Sequence, residues 1–459
     1  MIEYRIESDS IGKKEVPATA YYGIQSLRAK ENFRISGTRV HPEFIRAIAE
    51  VKKAAAITNR DIGVIPAKIA NAMVEACDDI LSGKLLDSFI VDAIQGGAGT
   101  SLNMNANEVI SNRAIELLGG RLGDYSIVHP NDHANCAQST NDVYPSAGKI
   151  AVARLLIKAI DALEIFRDAL KAKAREFADV IKMGRTEMQD AVPITFGQSF
   201  TAYAAAIERD IRRFGSAVNE LSCLNMGGTA IGTGLNADKE YIRRIVPNLA
   251  KITGLELTQA ENLVDSTQNL DAFVFVSGIV KACAATLSKI ANDLRLMSSG
   301  PRTGFGEINL PAKQNGSSIM PGKVNPVIPE VMNQIAFNVI GNDTTITLAV
   351  EAGQLELNAF EPIIFYCLFE SLETLTNGVS VFTKDCIEGI TVNVDNCEDA
   401  VERSIGIVTA LCPHIGYVRA ASLAKQALAE GKSIRELLIE EKIVSEGDID
   451  EILDPYKMI

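Results

Sequence analysis

The chain has 459 residues, 47% of them apolar and 22% charged, and its 58 acidic and 45 basic side chains give a net charge of −13. At this length more than one hydrophobic core is expected, because single cores stop growing near ~250–300 residues, and the composition excludes a disordered chain. The acidic balance argues against nucleic acid or an anionic membrane as a general partner, since both attract basic surfaces, while leaving room for a local cationic pocket.

The first residues, MIEYRIESDSIGKKEVP, lack the basic-then-apolar pattern of a secretory signal. Residues 1 to about 140 mix short helical patterns with Gly- and Asn-rich turns. The middle of the chain is more regular. Apolar residues recur in steps of three and four at Leu156, Ala159, Leu163, Phe166, Leu170, Ala174, Phe177 and Ile181. A second stripe reads Phe200, Tyr203, Ile207, Ile211, Phe214, Val218 and Leu221, and a third runs from Phe273 through Val280 and Leu287 to Met297. Such spacing puts one stripe on one helix face, and a sustained heptad implies packing at a shallow crossing angle. Further helices are expected over 329–352 and 361–386. The most apolar window, 272–287, contains Ser277 and Lys281 and is short for a membrane span, so it reads as a buried bundle helix. Five long helices of about 25–30 residues make a bundle rather than a sheet. Apolar residues on several faces of these helices imply cover by other helices, including those of other subunits.

From about residue 395 a compact helical tail follows, where Ser433…Glu436 and Ser445…Asp448 have capping-box spacing. The expected organisation is all-α with three domains: 1–140, a central bundle over 141–394, and a small C-terminal domain over 395–459. Eight cysteines are dispersed with no Cys-x-x-Cys pair, which fits reduced thiols in a cytoplasmic protein.

Four polar stretches interrupt the helical pattern: 96–107 (GGAGTSLNMNAN), 131–142 (NDHANCAQSTND), 183–190 (MGRTEMQD) and 316–326 (GSSIMPGKVNP). They carry hydroxyls and amides, among them Thr100, Ser101, Ser139, Thr140, Asn141, Thr186, Ser317, Ser318 and Asn325, with Arg185 and Lys323 as cations. Any one of them could be a plain turn or cap. Together, neutral donors and an ammonium suit a carboxylate-rich ligand, because hydrogen bonds to an ionised acceptor are the strong ones. Other chemistries fail on spacing. Gly316 and Gly322-Lys323 are separated by five residues instead of the four of a phosphate loop, and Val324 stands where a magnesium-binding hydroxyl belongs. The glycines of 225–236 do not form a dinucleotide fingerprint. His129 and His133 are separated by Pro130 with no glutamate between them, so no metal site is expected. Proton abstraction beside a carboxylate fits what is left. It needs a base at the carbon and donors around a developing dianion, and no metal or cofactor. Ser317 or Ser318 could serve as that base if loop amides and Lys323 stabilise the alkoxide.

The segment GSSIMPGKVNP resembles the signature of the aspartase/fumarase superfamily. The resemblance extends through VPATAYYG (16–23), QGGAGTSLNMNANEV (95–109), QSTND (138–142), GRTEMQDAVP (184–193), GTAIGTGLN (228–236) and SIGIVTALCPHIGY (404–417). It implies an all-helical, three-domain homotetramer in which three subunits build each active site around a core of five helices per subunit. The reading STND and the continuation VNPVIPEV look like the aspartase branch rather than class II fumarases. That branch implies reversible elimination of ammonia from L-aspartate to give fumarate. Position by position, Ser317 matches the general base. Thr100, Ser139, Thr140 and Ser318 match donors to the β-carboxylate, with Ser101 in the same substrate-binding set. Lys323 and Asn325 match the α-carboxylate site, and Asn141 and Thr186 the amino group. After Thr186 many relatives carry histidine where this chain has Glu187. Facing a glutamate matching Glu330, Glu187 would act as a protonated donor or as a counter-charge for the substrate ammonium, unless it is a tolerated surface side chain. Fumarate hydratase, a lyase of larger succinyl substrates and a noncatalytic protein on the same scaffold are the alternatives.

Overall fold

The computed structural model describes residues 3–459; Met1 and Ile2, which open the expected N-terminal domain, lie outside the described residues. A hairpin of β1 (Tyr4–Asp9) and β2 (Gly12–Pro17) precedes α1 (Ile24–Asn32), α2 (Pro42–Asp61), α3 (Ala67–Leu81) and α4 (Thr100–Leu117). After a π-helical turn at Pro130–Ala134 come α5 (Thr140–Glu176), a second hairpin of β3 (Ile181–Thr186) and β4 (Gln189–Thr195), and α6 (Phe196–Glu220). Next are α7 (Lys239–Thr253), α8 (Leu263–Gln268), α9 (Asp271–Met297), α10 (Val327–Glu351) and α11 (Glu361–Asp385). The tail holds α12 (Val394–Arg403), α13 (Cys412–Ile415), α14 (Tyr417–Glu430), α15 (Ile434–Glu441) and α16 (Glu446–Ile452).

The five long helices expected from periodicity are α5, α6, α9, α10 and α11. Two boundaries differ from the pattern. Ile181 lies in β3, where pairing with Thr195 overrides its place in the stripe. At the other end, α5 begins well before Leu156. Its first half has no stripe to detect, because Val143, Tyr144, Ala147, Ile150, Ala151 and Val152 are buried around the whole circumference. Among the described residues one helix, Asp271–Met297, is long and apolar enough to cross a membrane, with half of its most apolar window buried within the chain.

The chain forms two compact units. One comprises residues up to Ile160 with Arg212–Ala282 and Phe337–Leu375; the other comprises Asp161–Ile211, Cys283–Ala336 and Thr376–Ile459. Their boundaries fall inside the five long helices, a different division from 1–140, 141–394 and 395–459. In the first unit Phe44, Tyr144, Phe273 and Phe365 form an aromatic core, with ring centroids 4.8 Å apart for Phe44–Tyr144 and 5.0 Å for Phe273–Phe365. Burial of each ring contributes about 1.5–3 kcal/mol. Gly148 lets the Phe365 ring approach α5, since a Cβ there would lie 1.9 Å from it.

In the second unit Met183 of β3 packs with Val401, Leu411, Leu423, Leu437 and Leu438, which ties the second hairpin to the helical tail. The capping box at Ser433 and Glu436 forms as expected. At Ser445 it does not, and the hydroxyl donates to Asp448 Oδ2 at 2.6 Å. Aspartate is one methylene shorter than glutamate, and here its carboxylate bonds the serine hydroxyl rather than the N-cap amide.

Candidate active site

In the first unit two of the four polar stretches meet. The segment 96–107 turns into α4 through Gly99, whose φ of +88° suits glycine and whose missing Cβ leaves space for the Tyr144 ring. Thr100 and Ser101 therefore sit in the first turn of a helix rather than in a loop, and Thr100 Oγ1 donates to Gly97 O at 2.7 Å. One turn on, buried Asn103 donates from Nδ2 to Thr140 Oγ1 at 3.1 Å. Thr100 and Ser101 also line a cavity of about 530 Å³ together with Glu108, Tyr125 and His129, which Ser139, Thr140 and Asn141 do not line.

The segment 139–142 is a helix start. Ser139 Oγ accepts from Asn141 N at 3.2 Å, and Asp142 Oδ1 accepts from Ser139 N at 2.9 Å, a reciprocal cap. The other Asp142 oxygen accepts from Gly227 N at 3.2 Å and Thr229 N at 3.0 Å. Asp142 is fully buried, and burial raises its carboxyl to about 6 against the hydrogen bonds that lower it. Pro145 follows. It has no N–H to donate to the Asn141 carbonyl four residues back, and Asn225 Nδ2 fills that vacancy at 2.9 Å. Asn141 Nδ2 in turn donates to Ala230 O at 2.7 Å, which fixes the amide so that its Oδ1 is the free acceptor, the polarity an ammonium group needs.

Asp142, Asn225 and Thr229 were not singled out from the sequence. The signals were present: Ser139…Asp142 has capping-box spacing, and the segment 228–236 carries the glycines that allow φ values of +88° and +71° at Gly232 and Gly234.

In the second unit Ser317 sits in a tight turn. Its Oγ accepts from Ile319 N at 3.2 Å and from Met320 N at 3.0 Å. The ends of this loop are tied, because Gly316 N donates to Lys323 O at 2.7 Å and Asn325 Nδ2 donates to Gly316 O at 3.0 Å. A Cβ on Gly316 would stand 2.8 Å from the Lys323 carbonyl, so only glycine permits this closure. Between the ties, Ser318, Met320 and Lys323 are exposed, and Ile319 is 84% exposed. Ser317, unlike Ser318, is half-buried with two backbone donors on its oxygen, the arrangement that stabilises an alkoxide.

The stretch 183–190 is the tip of the second hairpin rather than a loop. Thr186 pairs with Gln189 across a two-residue turn in which Glu187 and Met188 have φ of +51° and +65°. Left-handed backbone at two successive non-glycine residues is strained by roughly 1 kcal/mol or more each. It holds Glu187 exposed at the tip, with no described side chain bonded to it, Glu330 included. The hairpin is anchored below by Glu307. This carboxylate, 1% exposed, accepts from Arg185 Nη1 at 2.5 Å and has Lys182 Nζ at 3.4 Å. The second contact is an ion pair without hydrogen-bond geometry, so Glu307 Oε2 counts as unbonded. The Arg185 guanidinium also stacks 4.3 Å over the Phe305 ring. Glu307→Ala leaves two cations near a buried site without their partner and is expected to destabilise by about 3–5 kcal/mol. Thermal denaturation beside Glu307→Gln checks this, with the glutamine variant expected to lose less.

Comparisons with known proteins place the whole chain among lyases. A family model described as lyase matches residues 12–341, and one described as fumarase C C-terminus matches residues 407–459. An aspartate ammonia-lyase of Bacillus subtilis is 54% identical over 456 residues, covering 99% of this chain and 96% of the relative. A crystal structure titled fumarate lyase:delta crystallin from Brucella melitensis superposes with a TM-score of 0.97 at 50% identity, covering 99% of each chain. A recombinant class II fumarase from Schistosoma mansoni superposes with a TM-score of 0.96 at 36% identity, again covering 99% of each.

Proposed function

This chain belongs to the lyase family, within the aspartase/fumarase superfamily, and from that premise we propose that it reversibly deaminates L-aspartate to fumarate and ammonia. The observation that carries the chemistry is the Ser317 oxygen held by two backbone N–H groups. As an alkoxide it takes the Cβ proton of L-aspartate. The electron pair moves into the β-carboxylate, which becomes an enediolate-like dianion, and then returns to form the double bond as the C–N bond breaks. Thr100, Ser139, Thr140 and Ser318 supply donors to the β-carboxylate, where the charge accumulates, with Ser101 in the same substrate-binding set, and such donors act most strongly in a dry site. Lys323 and Asn325 hold the α-carboxylate, while Asn141 and Thr186 hold the amino group. Glu187 is a counter-charge for the substrate ammonium, which takes the C–N bonding pair and leaves as neutral ammonia. The segment 316–326 closes over the substrate and excludes water. The reaction as written uses no metal and no cofactor.

The site is completed in a homotetramer, in which donors from three copies of the chain surround one substrate. The same reading makes the enzyme cytoplasmic, without nucleic acid or membrane as partner, and divides each subunit into the three domains 1–140, 141–394 and 395–459. A hydratase acting on malate and fumarate would use the same base on the same scaffold. The identity to an ammonia-lyase, 54% against 36% for the fumarase, favours ammonia as the leaving group. Fumarate absorbance is expected to rise on addition of L-aspartate and to stay flat with L-malate; a rise with malate alone overturns the assignment.

A further inference from the structure

Behind Ser139–Asn141 lies a buried polar network organised around one oxygen, Asn135 Oδ1. It accepts from Lys52 Nζ at 2.9 Å, Asn103 Nδ2 at 3.1 Å and Asn107 Nδ2 at 3.2 Å. Lys52, Asn103 and Asn107 are each at most 1% exposed. The network reaches the donor segment by two routes. Asn103 Nδ2 also donates to Thr140 Oγ1 at 3.1 Å, and Asn135 Nδ2 donates to the carbonyl of Gln138, the residue before Ser139, at 3.2 Å. A third link is electrostatic. The Lys52 ammonium attracts the buried Asp142 carboxylate, which holds Ser139 N on one side and Gly227 N and Thr229 N on the other.

A lysine this deeply buried is unfavourable on its own account, and burial lowers its ammonium to about 7. The groups that face it are Asp142, which draws its pKa up, and the buried Cys77, whose thiol is pushed up to about 12 and so stays neutral. A structural filler for this space would be apolar. The chain instead places a cation where three amide side chains and a carboxylate converge behind the donor segment.

We propose that Lys52 is a positioning residue for substrate binding: through Asn135 and Asp142 it fixes the orientation of Thr140 and Asn141 towards the substrate. Its action is indirect, since its ammonium is bonded within the network. The inference rests on the assignment of Thr140 and Asn141 to substrate binding.

The test is steady-state kinetics of the intact oligomer with L-aspartate for Lys52→Met, Asn135→Ala and Asn141→Ala, with circular dichroism and thermal denaturation on the same samples. Lys52→Met and Asn135→Ala are each expected to raise KM at least tenfold with kcat changed less than threefold, in protein that keeps its helical content. Loss of structure alone would lower the active fraction, and hence the apparent kcat, without moving KM. If Lys52→Met does not fold, Asn135→Ala decides by the same criterion. If Asn141→Ala raises KM while the folded network variants leave it unchanged, the proposal for Lys52 is overturned and the binding assignment stands. If Asn141→Ala also leaves KM unchanged, the binding assignment fails and takes the proposal with it.

Discussion

Ser317→Ala is expected to lower fumarate formation from L-aspartate by about 1,000-fold or more, in a protein that folds and assembles as before. The hydroxyl contributes little to stability. It accepts two bonds from Ile319 and Met320 in an otherwise exposed turn, where water replaces it as acceptor. Its removal deletes the base, and general-base catalysis is worth roughly 100- to 10,000-fold. KM should change little, because the carboxylates of the substrate are held by other groups. Ser318→Ala provides the contrast. Ser318 is assigned as a donor and not as the base, so the expected loss is a factor of about ten to a hundred. Equal losses in the two variants, measured by initial rates on samples matched for oligomeric state, would remove the assignment of Ser317 as base.

Asp142→Asn is expected to combine a loss of stability with a raised KM. The carboxylate takes Ser139 N on one oxygen and Gly227 N and Thr229 N on the other, all out of water. An amide must turn its NH₂ towards one of these donors. Each buried N–H left unmatched costs about 1–3 kcal/mol, and with one left unmatched a loss of that size follows at neutral pH. The pH dependence of stability changes as well. Burial raises the Asp142 carboxyl from 3.8 to about 6, so between these values the folded state binds more protons than the unfolded state. This contribution is fully present below pH 3.8 and is lost as the pH rises through about 6, amounting to roughly 3 kcal/mol at ~1.36 kcal/mol per pKa unit. In Asp142→Asn this component vanishes. Urea denaturation from pH 4 to 7 should show the difference between wild type and variant growing with the pH-dependent term at its acid end. A constant difference across the range would contradict the buried titration.

Much of this architecture could be read from the residues because amphipathic periodicity reports one-sided burial. Phe200, Ile207, Phe214 and Leu221, spaced by seven, are all buried on one face of α6 and just beyond its end. Where burial is all round the signal disappears, which is why the first half of α5 had no visible start. Composition also could not separate a loop from a helix start or a hairpin tip. The segments around Thr100 and Thr140 open helices, and 183–190 is a strand pair with a left-handed turn. The identities of the polar residues pointed to carboxylate chemistry, but their supports are long-range. Lys52, Asn135, Asn225 and Glu307 act on the candidate site through partners distant in sequence, and no local spacing announces such pairs. Glu187 was visible as a departure from the family pattern, and the structure adds its strained, exposed position at the tip of the second hairpin.

The most direct test of ammonia elimination by a serine base is the reverse reaction in deuterium oxide, with fumarate and ammonium as substrates and proton NMR as the readout. The expected product is L-aspartate with one deuterium at Cβ, delivered from the exchanged hydroxyl of Ser317, and no product with Ser317→Ala. Formation of deuterated malate without aspartate would contradict the account.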